Sequence, residues 1–159
     1  VTSDSPTATV AKTGGNVTIT GKSNSTKLTF AATPAEENGL TLQLPENYTA
    51  AGKQTANGAV IADDPGATGE FVWSITISNV PANVSIEELV ATLSVTAAGG
   101  QKAQVTITQA AGDSTLEIDK ETINLDVNGS AQTVNVISND EWTWKNAASR
   151  TVMRMLGRL

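Results

Sequence analysis

Apolar and polar residues alternate with a period of two along much of the chain, and the run from Glu70 to Ser78 is the plainest case. Phe71, Trp73, Ile75 and Ile77 fall on one side, and Ser74, Thr76 and Ser78 on the other. That is the pattern of a strand with one buried and one wet face. The same reading predicts strands at Thr7 to Ala11, Val17 to Thr20, Lys27 to Ala31, Leu40 to Leu44, Leu89 to Thr96 and Ala103 to Gln109. Gly14-Gly15 and Gly21 to Asn24 punctuate them, and Ala97 to Lys102 reads as a glycine-containing hairpin loop. From Pro45 to Gly69 the periodicity fades, apart from a short strand at Ala59 to Ala62, and turn residues such as Asn57-Gly58 and Asp63 to Gly66 predict an irregular loop region. Ser85 and Glu88 form a capping box that predicts a helix of a turn or two. About seven or eight short strands in one span predict a two-sheet β-sandwich.

After Gly112 the pattern restarts with Leu116 to Asp119, Thr122 to Val127, a turn at Asn128-Gly129 expected to be of type I′, and Gln132 to Ser138. Gly15 to Asn24 lies over Gly129 to Asn139 with a slip of one residue, which reads as a weak tandem repeat. The expected organisation is therefore one full module over 1–112 and an incomplete second over 113–159. Without disulfides or metal, a chain below about 40 to 50 residues rarely buries enough surface to fold alone. The second module is thus expected to borrow a partner strand or stay loose, and its open sheet edges predict self-association or strand addition.

Composition sharpens the picture mainly by exclusion. The chain has no cysteine and no histidine, which removes thiolate nucleophiles, zinc–thiolate sites and the commonest general base. A net charge of −6 with ten basic residues speaks against a nucleic-acid partner. Apolar stretches such as Leu89 to Leu93 are far shorter than the roughly 20 residues a membrane-spanning helix needs. The chain opens at Val1 without a signal-type apolar core, so it reads as a processed or excised portion. The tail, atypical from about residue 146, holds all three arginines, Arg150, Arg154 and Arg158, and both methionines, Met153 and Met155. Wound as a helix it would be a basic amphipathic segment for a membrane surface or a partner; the alternative is a truncated or out-of-frame end.

Adjacent carboxylates at Glu36-Glu37, Asp63-Asp64 and Glu87-Glu88 make poor catalytic dyads, because neighbours in extended chain point to opposite sides. Asp126-Val-Asn128-Gly129 echoes the start of a calcium loop but lacks the further acidic ligands. Neither an enzyme, a metal site nor a cofactor is expected. Asn-x-Ser/Thr sequons at Asn16, Asn24, Asn47, Asn83 and Asn128 follow from the Asn- and Thr-rich composition.

The strand Ala103 to Gly112, with its Val105-Thr-Ile-Thr-Gln109 ending, and the run from Leu116 through Val127 to Trp142 resemble BACON modules, the Bacteroidetes-associated carbohydrate-binding often-N-terminal family. The resemblance is strongest over 114–144 and 89–112 and looser over 1–88, where Lys27-Leu28 stands at the place of the family's Trp. It implies an immunoglobulin-like sandwich in a secreted or surface-anchored bacterial protein, often ahead of a glycan-degrading domain. After Trp144 the sequence leaves the family pattern, so the second module lacks its latter half. Asp113-Ser114-Thr115 also looks like the O-glycosylation motif of that bacterial group.

Sugar binding stacks an aromatic ring on the apolar face of a pyranose and surrounds it with polar side chains. Phe30, Phe71 and Trp73 are expected in the core. Tyr48 lies in a polar loop, either as its anchor or as a ligand contact. Trp142 and Trp144 share the expected strand face of Val134 and Val136, either as core residues or as a stacking platform beside Asn139, Asp140 and Glu141. The sequence thus predicts a non-catalytic extracytoplasmic module that binds or positions polysaccharide through Trp142, Trp144 and Tyr48, or a structural spacer or adhesin-type module without glycan affinity.

Overall fold

The structure, a computed structural model, describes residues 1–145, and the chain divides between Gly112 and Asp113 into two compact units. The expected basic tail lies outside the described residues. The protein is all-β: its described elements are eleven strands and a single 3-10 turn at Pro65–Ala67.

Two sheets make up the first unit. The five-stranded one runs β1 (Thr2–Ser3), β3 (Gly15–Ser23), β7 (Phe71–Val80), β5 (Asn47–Ala50) and β6 (Lys53–Ala56) from edge to edge. The four-stranded one runs β2 (Thr7–Val10), β9 (Lys102–Gln109), β8 (Leu89–Ala97) and β4 (Leu28–Pro34). All pairings are antiparallel except β2 with β9. Asp4 to Pro6 carries the chain from the edge of one sheet to the edge of the other.

The alternation on β7 places Phe71, Trp73, Ile75 and Ile77 in the core, joined by Leu28 and Phe30 of β4, Leu93 and Val95 of β8, and Val105 and Ile107 of β9. Burying each such side chain contributes roughly 1.5–3 kcal/mol, so this sandwich-like packing is the main source of stability. The seam between the sheets is aromatic. Phe30 meets Trp73 edge-on at 5.4 Å and Tyr48 at 4.7 Å between ring centroids. Trp73 also explains Gly21, its partner across β3 and β7. A Cβ there would stand 2.3 Å from the indole and 2.0 Å from the Thr2 carbonyl oxygen.

Several expectations are corrected. Leu40 to Leu44 forms no strand. Its only ladder contact is a bridge from Gly39 to Val90, yet Leu40 is buried, and Leu42 and Leu44 pack against the core. An extended segment can bury alternate residues against a sheet without joining it. Within Pro45 to Gly69, expected to be irregular, lies the hairpin β5–β6, turned by Ala51 and Gly52, both with positive φ as a type I′ turn requires. Ala59 to Ala62 contributes only a bridge from Val60 to Lys27. The helix at Ser85 is absent: the Ser85 hydroxyl accepts from the Glu87 amide in a local turn, and the Asn83 side chain takes the Ser85 amide.

The open edge of β4 is partly covered by the segment after β6. The Asn57 side chain accepts from the Phe30 amide at 2.8 Å and donates to the Phe30 carbonyl at 3.0 Å, standing in for a neighbouring strand. The Gly58 amide donates to the Leu28 carbonyl and the Ile61 amide to that of Thr26. Such cover blocks edge-to-edge pairing there.

In the second unit β10 (Leu116–Ile118) pairs antiparallel with β11 (Val136–Ser138). Thr122 to Val127 is not a strand, and only the end of Gln132 to Ser138 is one. The turn before it is not type I′, since Gly129 but not Asn128 has positive φ. The Asp126 carboxylate accepts from the amides of Asn128 and Ser130 and from the Ser130 hydroxyl. These bonds hold its carboxyl below the usual range.

Gly21→Ala is expected to destabilise the first unit by about 1–3 kcal/mol, the usual cost of forcing extra volume into a packed site. Thermal unfolding followed by circular dichroism would show a Tm several degrees lower; an unchanged Tm would mean that β1 and Trp73 yield freely.

Candidate functional site

Two places in the molecule bear on function: the aromatic positions expected to meet a sugar, and the pole of the first unit where the chain leaves it.

Tyr48 is not a surface stacking residue. It is 2% exposed, its ring lies against Phe30, and it sits on β5 rather than in a loop. The expectation of a ligand contact is corrected by the hairpin, which turns this position inward. Its hydroxyl is buried without a hydrogen-bond partner, as is the Nε1 of Trp73. Burial raises the Tyr48 pKa; the Leu28 backbone, which faces the hydroxyl without closing a well-formed hydrogen bond, opposes the shift.

Trp142 and Trp144 come together in the second unit, with ring centroids 5.3 Å apart and planes at 87°. Perpendicular rings do not make one flat platform for a pyranose. Trp142 is half-buried with its Nε1 unpartnered, while Trp144 is 41% exposed, so Trp144 is the ring with surface to offer and Trp142 buttresses it. Asn139 and Asp140 are engaged in holding the chain. The Asn139 side chain accepts from the Thr115 amide and donates to the Asp113 carbonyl, and the Asp140 carboxylate accepts from the Glu141 amide. Ser138 donates to the Thr115 carbonyl. This knot fixes the start and end of the β10–β11 ribbon.

The tandem repeat has a structural counterpart. In the first unit Thr2 pairs with Lys22 and Ser3 with Gly21; in the second Glu117 pairs with Ile137 and Ile118 with Val136. Each residue lies 115 positions before its counterpart, as from Thr2 to Glu117 and from Gly21 to Val136. The next residue obeys the same spacing. The Asp4 amide donates to the Thr20 carbonyl at 2.9 Å, and the Asp119 amide to the Asn135 carbonyl at 3.1 Å. Both aspartates then accept from the opposite side chain, Asp4 from the Thr20 hydroxyl and Asp119 from the Asn135 amide.

At the exit pole sits a pair of buried amides that sequence reasoning passed over. Gln109 is 1% exposed, and its Nε2 donates to the Pro81 carbonyl at 2.7 Å and the Ala11 carbonyl at 3.2 Å. Buried Asn83 donates from Nδ2 to the carbonyls of Glu87 at 2.8 Å and Ala110 at 3.0 Å. The Asn83 amide donates to the Lys12 carbonyl and the Gly112 amide to the Ser85 carbonyl. A Cβ on Gly112 would stand 2.3 Å from the Asn83 carbonyl oxygen, so the chain leaves through a slot that suits glycine alone. Buried amides are retained where each donor finds an acceptor, and here the acceptors come from the loop after β2, the loop after β7 and the chain just past β9. The signal was present in the sequence: a Gln ending an apolar-alternating strand on its buried face.

The acidic pairs build no site. Glu36, Glu37, Glu87 and Glu88 are exposed, and Asp63 forms an exposed ion pair with Lys53 at 2.6 Å that lowers its own pKa and raises that of Lys53. Compared with known proteins, the chain matches no protein-family model and no curated sequence.

Tyr48→Phe removes an unpartnered buried hydroxyl and is expected to leave stability equal or higher below pH 10. Because the folded pKa lies above the ordinary value of 10.0, the unfolded chain ionises first, and Tyr48 destabilises the fold as pH rises past that value. Urea titrations between pH 8 and 11 should show the variant gaining on the parent only at the alkaline end; parallel curves would refute the assignment.

Proposed function

We propose that this chain is part of a non-catalytic, extracytoplasmic protein in which immunoglobulin-like modules of BACON type position polysaccharide-handling machinery at a bacterial cell surface. The observation that carries this reading is the exit pole: Gln109, Asn83 and Gly112 bind the departing chain to the two loops that follow β2 and β7 in the first unit. A presenting module must fix the direction in which it hands the chain on, and a polar clamp at the last strand does so. The immunoglobulin-like reading draws on the strand order, with the first strand split between the sheets as β1 and β2. The BACON reading draws on the resemblance of 89–112 and 114–144. The repeated ribbon at a spacing of 115 supports taking the second unit as the opening of a second module of the same kind. The lack of histidine and cysteine agrees with a non-catalytic task.

A second reading, direct polysaccharide binding, is favoured by one observation, the exposed Trp144 ring buttressed at right angles by Trp142. A ring held this way loses little freedom when it stacks on a sugar. The β10–β11 ribbon, with Leu116, Ile118 and Ile137 exposed, is the place for self-association or strand addition, which sedimentation at increasing concentration would detect.

Two measurements test these readings. In hydrogen exchange, the Gly112 amide should be protected nearly as well as the centre of β9, and Gln109→Leu should release it before the core opens. Exchange at the rate of free chain in the parent protein would overturn the presenting role. In calorimetric titration against a broad panel of polysaccharides, the presenting reading expects no saturable heat. Saturable heat abolished by Trp144→Ala would put the second reading in its place.

A further inference from the structure

We propose that the first unit is a load-bearing element, in which tension along the chain is carried in shear by the parallel pairing of β2 with β9. This goes beyond the presenting role and does not depend on whether a glycan is bound. β2 is the first strand of the four-stranded sheet in the chain and β9 the last strand of the unit, and they run side by side in register from Thr7 with Thr106 to Val10 with Gln109. Because the strands are parallel, pulling on the chain ahead of β2 and beyond β9 drives them past each other lengthwise. All the bonds between them must then stretch together, whereas strands pulled apart from one end lose their bonds singly.

The pair is reinforced at both ends. The Thr106 amide donates to the Pro6 carbonyl at 2.9 Å ahead of the register, and the Ala110 amide to the Val10 carbonyl at 3.0 Å beyond it. The Gln109 side chain adds a bond to the Ala11 carbonyl at the point where β9 would slide. On its other side β9 is paired with β8 over eight residues, from Leu89 with Gln109 to Thr96 with Lys102, so β9 is anchored in the sheet. The mechanically decisive contact is therefore the one with β2. The two-residue β1 is expected to detach first and to bear little.

The Pro6 and Val10 carbonyls both face β9, so the alternation of the backbone turns the Ala8 amide into the ladder and the Thr9 amide away from it. Proline at position 8 removes a load-bearing bond, whereas proline at position 9 removes none. The test is single-molecule force spectroscopy on the full chain, held by its N-terminus and by a single introduced cysteine, the protein having none of its own. With Ser114→Cys the load shears β2 against β9; with Lys102→Cys both attachments lie at the same end of the pair and unzip it. The folded unit should survive longer at the same force in the first geometry. In that geometry Ala8→Pro should shorten the lifetime by roughly tenfold, the effect of one lost hydrogen bond, and Thr9→Pro should leave it unchanged. Equal or shorter lifetime in the first geometry overturns the proposal, as does a loss in Ala8→Pro no larger than in Thr9→Pro. If Ala8→Pro does not fold, comparing the two geometries on unaltered β2 still decides.

Discussion

One buried amide ties the two sheets of the first unit to each other. Gln109 ends the last strand of one sheet, and its side chain reaches a carbonyl beyond the last residue of β7 in the other sheet and a second beyond β2. Apolar packing holds the two sheets face to face, but packing is non-directional and tolerates sliding. Directional bonds from a group with no access to water do not. Removing the amide would take this donor from the Pro81 carbonyl, the bond that joins the two sheets, while the Ala11 carbonyl would keep the Gly14 amide.

The aromatic seam sets the complementary constraint. Trp73 is fully buried between Phe30 and a glycine, and the strand opposite can pass over its ring only because Gly21 lacks a side chain. The seam leaves Trp73 Nε1 and the Tyr48 hydroxyl without partners. Their desolvation cost is offset by large apolar burial, which is why the site tolerates polar tips where a phenylalanine would avoid the penalty.

How much of this was legible in the sequence depended on whether one residue's neighbours sufficed to decide its side. Strands β7, β8 and β9 were legible because each alternates strictly over eight or more residues. Tyr48 was not, because its strand is four residues long and its turn, Ala51-Gly52, lacks the asparagine or aspartate that usually marks a type I′ hairpin. The leucines of 40–44 carried a true burial signal and a false strand signal, since the period of two reports sidedness and not pairing. Asn83 and Gln109 act through partners 27, 28 and 98 residues away, which no local pattern encodes.

The tryptophan pair illustrates the same limit from the other side. At the constant spacing of 115, Trp142 and Trp144 stand over Lys27 and Thr29, the one half-buried and the other exposed in the first unit, and they show that same division in the second. A slip of one residue would set them over Leu28 and Phe30, both core positions. In a strand a shift of one exchanges the two faces completely, so the choice between packing residue and ligand-facing ring rests on register alone. Register in the first unit is fixed by the pairing of β4 with β8 and by the Asn57 bonds to Phe30. The ring of Trp144 is thus outward-facing for as long as the chain after Ser138 keeps the spacing that the ribbon before it obeys.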